Sequence, residues 1–504
     1  GVVLAETNSF SRVEEDYGIS VVKLPVSMLP PSTPPLLSPT FSTQPIQPSR
    51  PIMSTVPVAL VAPLLPELIL ENIEEQKQSS NFSEATVRQQ RRLSSDWCTQ
   101  GGKSNVGVHT LLRGQTCTLS SHITVAAGTS LRLSSESGSG SKAIISGAGT
   151  TRLFSVYGNI TVSDLILERG KTNLGGAFFV SKTGSNPSGR VNMIRTLVRM
   201  CEVTLYGGGA YVVNGATLVL DSSTFESNTA TQVGGGIMAH KGSSIVVVAS
   251  QSSSLILRNV ADAYGGGIYL QDQDTRLDVS GSGTKLVVNG NTAEQFGGGV
   301  CAVTASSITV SFGARMDVIK NNAATQNGGG VYLQDQGTRF NVSGSGTQMV
   351  VNGNTAKIVG GGVCAQSTSL ITVSSGARMD VISNSAATQN GGGVYLQDQG
   401  TRFDGNGRNT YLMISGNVAQ KNGGGIAIRS SAIFRSTSNS MFNSNTAVDG
   451  NGGGLAYDDD SGRSDGGSNC VQLSLYIKYD GMYNVDQNGN VESGTAATAL
   501  QVYT

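Results

Sequence analysis

Short runs of alternating apolar and polar residues fill most of the chain, and glycine or asparagine ends each run. Residues 328–359 show the pattern clearly. Val331–Leu333 is a short apolar run, Arg339–Ser343 alternates, and Gln348–Val351 is a third run that ends at Asn352-Gly353-Asn354. A period of two predicts β-strands, and glycine corners predict turns between them. Each such unit is therefore predicted to contain three short strands and no helix.

The unit recurs along the chain. A glycine doublet or triplet marks ten units, and from Gly234 to Gly423 the step is 31 or 32 residues. The marks begin at Gly175, Gly207, Gly234, Gly265, Gly297, Gly328, Gly360, Gly391, Gly423 and Gly452. Residues 265–327 and 328–390 are identical at 47 of 63 positions, which indicates tandem duplication of a two-unit block. Repeats of this length indicate a solenoid, in which neighbouring units bury each other's apolar residues.

Two residue types hold fixed places in the unit, and both are predicted to have structural roles. Glycine at the corners allows a positive φ where backbones turn close together. Asparagine precedes the glycines by six residues and is expected to hydrogen-bond from coil to coil as a ladder, with Ser385 interrupting the column. The asparagines are Asn228, Asn259, Asn291, Asn322, Asn354 and Asn417, and the corner glycines are Gly234, Gly265, Gly297, Gly328, Gly360, Gly391 and Gly423.

These features predict an all-β fold, a right-handed parallel β-helix of roughly ten or more coils. The β-helix is expected to span residues 98–460. Residues 461–504 are expected to form a C-terminal cap, or the start of a further β segment that is truncated.

Proline sets apart the region before residue 98. Twelve of the thirteen prolines lie between Pro25 and Pro66. Proline fixes φ and removes a backbone donor, so residues 1–97 are expected to be a Pro/Ser-rich, mostly disordered leader or linker. The chain begins with Gly1, and we expect it to be a fragment of a longer protein, with any membrane anchor outside it.

The composition is rich in glycine and poor in charge. Glycine accounts for 66 of 504 residues, and 34 basic residues balance 34 acidic ones. A net charge of zero gives no electrostatic attraction to nucleic acid or to an anionic membrane surface, so neither is expected as a partner.

Pairs of aspartate and arginine recur at the coil spacing. They are Asp272 with Arg276, Asp335 with Arg339, Asp398 with Arg402, Arg315 with Asp317, and Arg378 with Asp380. A catalytic site usually occurs once, so the repetition favours structural salt bridges at turns over a sugar-binding ladder or a catalytic site. No catalytic residue and no cofactor is predicted, and the histidines His109, His122 and His240 are expected to be ordinary surface residues.

Cysteine has two predicted uses. Cys98 and Cys117, at the start of the folded region, could form a disulfide that staples the N-terminal cap. Cys301 and Cys364 are 63 residues apart, so they hold the same place two coils apart and are expected to be buried free thiols. No CxxC motif suggests zinc.

Two further kinds of site depend on weak patterns. Oxygen-bearing side chains alternate at Asp486, Asn488, Asn490 and Glu492, as in calcium loops, although a solvated loop has the same composition. Glycosylation sequons stand at Asn81, Asn159 and Asn341, and they become relevant if the protein is secreted.

The repeats resemble those of a known family. Phe225-Glu-Ser-Asn228 and Phe442-Asn-Ser-Asn445 fit an FxxN element, and Gly175-Gly-Ala-Phe178 with the later glycine triplets resembles GGA[ILV]. These are similar to the repeats of chlamydial polymorphic outer membrane proteins, also seen in large surface proteins of algae and other protists. The resemblance covers about residues 150–457 and implies a β-helix that is secreted or surface-exposed and takes part in adhesion. The chain departs from the family in its third glycine, and it lacks the family's membrane-barrel segment.

The broader resemblance is to the pectin-lyase-like β-helix, a fold that also hosts polysaccharide lyases, hydrolases and epimerases. The function predicted first is therefore an extracellular or cell-surface structural or adhesive rod without catalytic activity, with glycans or other surface proteins as partners. The alternatives are a carbohydrate-active enzyme of that fold and a non-catalytic rod that binds glycans.

Overall fold

The computed structural model describes residues 97–98, 105–184, 188–248, 251–437, 439–450 and 452–458, together with the strand segments 471–473, 484–485 and 491–492. The chain divides into two units, Gly1–Ile73 and Glu74–Thr504, and every described residue belongs to the second. The disordered leader predicted over 1–97 and the cap predicted over 461–504 thus lie almost wholly outside the described residues. In the described part, no helix is long and apolar enough to cross a membrane.

The described residues form a right-handed parallel β-solenoid of about eleven turns, which confirms the predicted fold class. Four sheets run along it, and each pairs equivalent strands of successive coils in parallel. We number the sheets in the order in which one coil crosses them after its glycine triplet. A separate two-stranded antiparallel hairpin joins Asn484–Val485 to Val491–Glu492.

Sheet I has twelve strands: Ile123–Val125, Phe154–Val156, Phe178–Val180, Ala210–Val212, Ile237–Ala239, Ile268–Gln271, Val300–Val303, Val331–Leu333, Val363–Ala365, Val394–Gln397, Ile426–Arg429 and Leu455–Asp458. Sheet II has thirteen: Gly107–Leu111, Ser130–Ser135, Asn159–Ser163, Arg190–Ile194, Thr217–Asp221, Ser244–Val248, Arg276–Ser280, Ser307–Ser311, Arg339–Ser343, Leu370–Ser374, Arg402–Asn406, Ile433–Ser436 and Val471–Leu473.

Sheet III has twelve strands: Thr116–Thr118, Ala143–Ser146, Leu165–Glu168, Leu197–Arg199, Thr224–Glu226, Ser254–Leu257, Lys285–Asn289, Arg315–Ile319, Gln348–Asn352, Arg378–Ile382, Tyr411–Ser415 and Asn439–Asn443. Sheet IV has ten: Lys171–Leu174, Glu202–Tyr206, Thr229–Ala230, Val260–Ala261, Thr292–Ala293, Asn322–Ala323, Thr355–Ala356, Ser385–Ala386, Val418–Ala419 and Thr446–Ala447.

The core follows the alternation seen in the sequence. In the coil that begins at Gly328, Phe340 and Val342 of sheet II and Met349 and Val351 of sheet III are fully buried, while the residues between them are not. The prediction of three strands per coil missed sheet IV. Its later strands have only two residues each, too few to show a period of two.

The ladder of asparagines lies between sheets III and IV and is buried, except at its last member, Asn445, which is half-buried. Each side chain donates from Nδ2 to Oδ1 of the asparagine one coil further on, at 2.9–3.0 Å, and Oδ1 also accepts the backbone N–H of the previous asparagine. Its members are Asn228, Asn259, Asn291, Asn321, Asn354, Asn384, Asn417 and Asn445.

Two places in the predicted ladder are wrong. Asn321 takes the place predicted for Asn322, and Asn384 fills the column that Ser385 was expected to interrupt. Asn322 and Ser385 lie instead in the two-residue strands of sheet IV. These coils carry one extra residue between the short strand and the glycine triplet, so a count back from the glycines falls one residue late.

The glycine triplets lie where neighbouring coils approach most closely, as the triplet Gly328–Gly330 shows. Gly328 has φ +69°, in the region that favours glycine. A Cβ on Gly329 would lie 2.2 Å from the carbonyl oxygen of Thr355, and one on Gly330 would lie 2.5 Å from that of Gly362. The corner therefore needs glycine at all three places, once for conformation and twice for space.

The N-terminal end of the solenoid is closed by a short covalent staple. Cys98 and Cys117 form a disulfide with their Cα atoms 5.0 Å apart. Trp97, directly before it, is 3 % exposed and packs into the apolar core. The end of the core is thereby covered beside the first strands of sheets II and III.

Candidate functional site

The outward side of sheet I carries a stripe of tyrosine, methionine and cysteine side chains. The middle residue of each strand points away from the core because neighbouring strand residues alternate between faces. Successive coils place Tyr211, Met238, Tyr269, Cys301, Tyr332, Cys364 and Tyr395 there in register. Rings from the residue before the glycine triplet pack beside them, with centroids 6.2 Å apart for Tyr206 and Tyr211 and 4.7 Å apart for Phe296 and Tyr332. The stripe is thus a second apolar layer.

Three polar side chains from three successive coils meet at one place on this stripe. The hydroxyl of Tyr211 lies 2.5 Å from Nε2 of His240, and Nδ1 of His240 lies 3.5 Å from Oδ2 of Asp272. Tyr211 and His240 are each 1 % exposed, whereas the Asp272 side chain is 31 % exposed. We call these three residues the Tyr–His–Asp chain.

The electrostatics of this chain favour a neutral imidazole. Burial lowers the pKa of His240, although the nearby Asp272 carboxylate opposes that shift. The hydrogen bond to His240 in turn lowers the pKa of Asp272. A neutral ring that donates from Nδ1 to Asp272 leaves Nε2 free to accept the Tyr211 hydroxyl proton. The order of phenol, imidazole and carboxylate is the one in which a base can take a proton and have its charge stabilised.

His240 corrects the expectation that each histidine is an ordinary surface residue. It directly follows the strand Ile237–Ala239, at the corner that glutamine occupies in other coils, as at Gln334 and Gln366. In one of these coils, Tyr332 donates to Oε1 of Gln334 at 2.6 Å. A histidine in a column of glutamines beside a tyrosine column was the available signal. It was missed because the three partners lie 29 and 32 residues apart in coils of unequal length.

The salt bridges predicted between Asp272 and Arg276, Asp335 and Arg339, and Asp398 and Arg402 are wrong. Each of these aspartates instead accepts the backbone N–H of a corner residue in the preceding coil, at 3.0–3.3 Å. The donors are Lys241, Thr304 and Ser367, which have a positive φ. Arg276 pairs with Asp278, and Arg402 pairs with Asp404, because residues two apart on a strand share a face.

The other two predicted pairs are present on the outward face of sheet III. Arg315 lies 2.7 Å from Asp317, and Arg378 lies 2.8 Å from Asp380. Lys285 of the preceding coil also contacts Asp317, at 3.0 Å. The Asp317 side chain is only 4 % exposed, so its charge is held between two cations rather than by water.

The thiols of Cys201, Cys301 and Cys364 are buried and free, as predicted for the last two. Burial raises the pKa of Cys201 to about 12 and the pKa of Cys301 and Cys364 well above the ordinary value. A thiol that resists ionisation is a poor nucleophile and metal ligand. These cysteines therefore act as small apolar groups, and Cys201 also begins the asparagine ladder through its backbone N–H to Asn228.

The remaining predicted sites fall in different parts of the structure. The calcium candidates Asp486, Asn488 and Asn490 lie outside the described residues, as does the sequon residue Asn81, and only the backbone of Glu492 is described. Asn159 is exposed and Asn341 is half-buried, each on sheet II. Within the described part of the chain, no group of three or more histidine, cysteine, aspartate or glutamate residues could hold a metal ion.

Comparisons with known proteins add one structural likeness. No family model and no curated protein matches the chain, so the resemblance to polymorphic outer membrane repeats stays a prediction. The solved A-module of the mannuronan C-5 epimerase AlgE6 from Azotobacter vinelandii is similar, with 13% sequence identity and a TM-score of 0.45. The match covers 77% of this chain and 95% of that one.

Proposed function

We propose that this chain is a non-catalytic β-helix of an extracellular or cell-surface protein, where it acts as a rigid spacer and presents a repeated surface for adhesion. The observation that supports the proposal most is the ladder of asparagines, which links eight successive coils inside the solenoid. Opening any step would leave buried amides without partners, so the ladder resists bending and local unfolding. Such a spine suits a protein that bears load.

The repetition of the outer surface supports the adhesive part of the proposal. Arg315 with Asp317 and Arg378 with Asp380 occupy the same places two coils apart. Two coils correspond to about 9.6 Å along the solenoid. A partner that is itself a repeating polymer can then engage several equivalent places at once, and linked contacts raise avidity without any single strong site.

The proposal is tested by location and by attachment. Antibodies against the solenoid are expected to label intact cells that produce the protein, without permeabilisation. Beads coated with the full chain are expected to attach to such cells and to hold under flow. Labelling that appears only after permeabilisation would contradict the surface role. Attachment of the coated beads that is no stronger than that of uncoated beads would contradict the adhesive role.

A second function, that of a carbohydrate-active enzyme, is favoured by the Tyr–His–Asp chain. With its proton passed to His240, the Tyr211 oxygen would be a general base, and Asp272 would stabilise the imidazolium. Uronate polymers present a C–H beside a carboxylate, which is the kind of proton that such a base removes. Tyr211 is 1 % exposed, so the substrate would have to reach it past the stacked rings of Phe179 and Tyr206.

Turnover of uronate polymers decides between the two functions. Polygalacturonate and alginate are incubated with the protein, and unsaturated products are followed by ultraviolet absorbance and epimerised ones by NMR. An enzyme would lose turnover in Tyr211→Phe and keep it in the matched control Tyr332→Phe, whose hydroxyl bonds Gln334 instead. Equal turnover by both variants, or none by the unaltered protein, would rule against catalysis by Tyr211.

A further inference from the structure

Phe312 is exposed to solvent at a corner of the solenoid. The side chain of Phe312 is 76 % exposed, more than any other large apolar side chain in the described residues. Its corner is a tight turn, closed by the N–H of Ala314 donating to the carbonyl of Ser311 at 3.2 Å. Phe312 has φ +55° and Gly313 has φ +80°. This is the backbone of a type I′ turn, whose central places favour asparagine and glycine and disfavour a bulky ring.

The duplicated block shows that the fold does not need this phenylalanine. The corner 63 residues later repeats the same turn, with Ser375 at φ +57°, Gly376 at φ +81° and a bond of 3.1 Å from Ala377 N to Ser374 O. Serine serves there in place of the ring. Phe312 therefore costs conformational strain and buries almost nothing, and such a residue points to a role in contact with a partner.

The surroundings of Phe312 leave room for a flat ligand. It stands on the ridge that joins sheets II and III, where the last residue of each corner is buried and the other corner residues over four coils are all glycine or serine. They are Gly281, Ser282, Gly283, Gly313, Gly344, Ser345, Gly346, Ser375 and Gly376. Four coils make a low shelf of about 19 Å along the solenoid, with a single ring raised above it.

The two flanks of the shelf supply polar and charged groups. On the side of sheet II, each strand ends in a serine, of which Ser311 is buried whereas Ser280, Ser343 and Ser374 are half-buried. On the side of sheet III, the first strand residues are Lys285, Arg315, Gln348 and Arg378. Lys285 and Arg315 share the single carboxylate of Asp317, so one positive charge remains in excess beside the ring.

We propose that this shelf is a binding subsite for an acidic polysaccharide. The apolar C–H face of one pyranose ring packs on Phe312, and its carboxylate or sulfate group lies toward Lys285 and Arg315. The hydroxyls of neighbouring sugars meet Ser280, Ser343 and Gln348. A single excess charge over the shelf matches a sparsely charged sugar chain, whereas single-stranded nucleic acid needs a strongly basic groove. The subsite rests on the proposed adhesive function and names its partner class.

The test compares three immobilised polymers, polygalacturonate, dextran sulfate and neutral dextran, against the full chain and two variants. Phe312→Ser recreates the natural sequence of the next copy, Ser-Ser-Gly-Ala, so it is expected to fold unchanged. Binding to the acidic polymers is expected to weaken at least about tenfold, because removing an aromatic anchor from the centre of a contact commonly has this effect. Ser375→Phe adds a second ring two coils away and is expected to strengthen binding at least twofold.

Each contrary outcome has a distinct meaning. Unchanged binding in Phe312→Ser, or equal binding to neutral dextran, would overturn the subsite. Absence of binding to all three polymers would overturn it as well. If Phe312→Ser abolished attachment to cells from which surface glycans had been removed enzymatically, the partner would be a protein and the subsite would again be wrong. Polymer binding without any attachment to cells would keep the subsite and overturn the proposed adhesive function.

Discussion

At the scale of single residues, the side chain found at a given place in a coil depends on the side chains that it contacts in the neighbouring coils. His240 stands where four other coils have glutamine, and its two ring nitrogens meet Tyr211 of the preceding coil and Asp272 of the following one. Burial without those two partners would leave the imidazole nitrogens unsatisfied. The consequence is a stability that depends on the protonation of one side chain.

Acidification is expected to destabilise the protein partly through His240. Because burial lowers its pKa in the folded state, the unfolded chain binds a proton more readily than the folded one. Its contribution is therefore fully present above pH 6.5, the ordinary value, and is lost as the pH falls below it. Asp272, whose pKa is also lowered, adds a second loss below pH 3.8.

Urea unfolding at pH 7.5 and pH 5.5 measures the first of these losses. Between pH 7.5 and pH 5.5, we expect the urea concentration at the unfolding midpoint to drop less in His240→Gln than in the unaltered protein. Glutamine does not titrate, and it occupies the equivalent corner of other coils, as at Gln334. The control variant is His122→Gln. Burial also lowers the pKa of His122, but this histidine lies outside the Tyr–His–Asp chain, so the variant shows what the loss of such a histidine does without that chain. An equal pH dependence in the unaltered protein and His240→Gln would show that His240 carries none of it.

The asparagine ladder predicts that alanine substitutions at two adjacent residues, Asn321 and Asn322, differ in their effect on stability. Asn321→Ala removes the acceptor of the backbone and side-chain N–H groups of Asn291 and the donor to Asn354, all of them buried. Stranded buried groups cost about 1–3 kcal/mol each, so a loss of at least 2 kcal/mol is expected. Asn322→Ala, one residue on, is expected to change stability by less than about 0.5 kcal/mol. Chemical denaturation compares the two, and a larger effect at Asn322 would refute the assignment.

The elements of each coil show how much of the fold was readable in the sequence. Short apolar runs and alternating runs between glycine corners predicted the strands of sheets I, II and III, and the regular glycine spacing predicted that these strands stack in parallel. Sheet IV and the true positions of Asn321 and Asn384 were not readable, because a two-residue strand has no period and an inserted residue can sit on either side of it. The Tyr–His–Asp chain left one signal in the sequence, a histidine where other coils have glutamine, but its three members could be brought together only by the exact alignment of three coils.

The third glycine of each triplet, where the chain departs from the GGA pattern, also has a physical reason. A Cβ on Gly330 would lie 3.0 Å from the side-chain Cγ of Asn354, the ladder residue of the coil that this triplet begins. Ala177 holds the third place in the triplet before Cys201, which is the coil where cysteine stands at the head of the ladder. Glycine thus goes with asparagine, and alanine goes with the smaller thiol.

Two third-place glycines, Gly362 in an inner triplet and Gly454 in the tenth, provide a matched pair of substitutions that tests this packing. A Cβ on Gly362 would lie 2.5 Å from the carbonyl oxygen of Gly393 in the next coil, so Gly362→Ala is expected to cost about 1–3 kcal/mol. Gly454 holds the same place in the tenth triplet, where the nearest atom among the described residues is the Cβ of Phe442 at 3.9 Å. Gly454→Ala is therefore expected to stay within about 0.5 kcal/mol. Thermal unfolding of both variants checks the difference, and equal losses would contradict the packing argument.

At the scale of the whole solenoid, each coil contacts mainly its neighbours, so stability adds up coil by coil. The duplicated block allows this additivity to be tested, because one copy of it can be deleted. Tyr and Cys alternate in the stripe on sheet I, with Tyr269 beside Cys301 and Tyr332 beside Cys364. The block of two coils is thus the unit that can be removed without changing which residue meets which.

Deletion of residues 328–390 is expected to leave a folded, shorter solenoid. The new junction joins Asn327 to Gly391, which copies the natural junction of Asn390 with Gly391, and it places Asn321 where Asn384 now meets Asn417. Removing two coils should shorten the solenoid by about 9.6 Å. Circular dichroism reports the fold and small-angle scattering the length. An aggregated or unfolded product would show that the coils are not interchangeable in pairs.

The asparagine ladder has a direction as well as a place. Every bond between two ladder side chains runs the same way, from Nδ2 in one coil to Oδ1 in the next coil toward the C-terminus, from Asn228 to Asn445. The amide dipoles therefore add, as peptide dipoles do along a helix, and each bond polarises the next. The column becomes a polar axis, negative toward Asn228 and positive toward Asn445. Two such rods meeting end to end would attract head to tail and repel head to head.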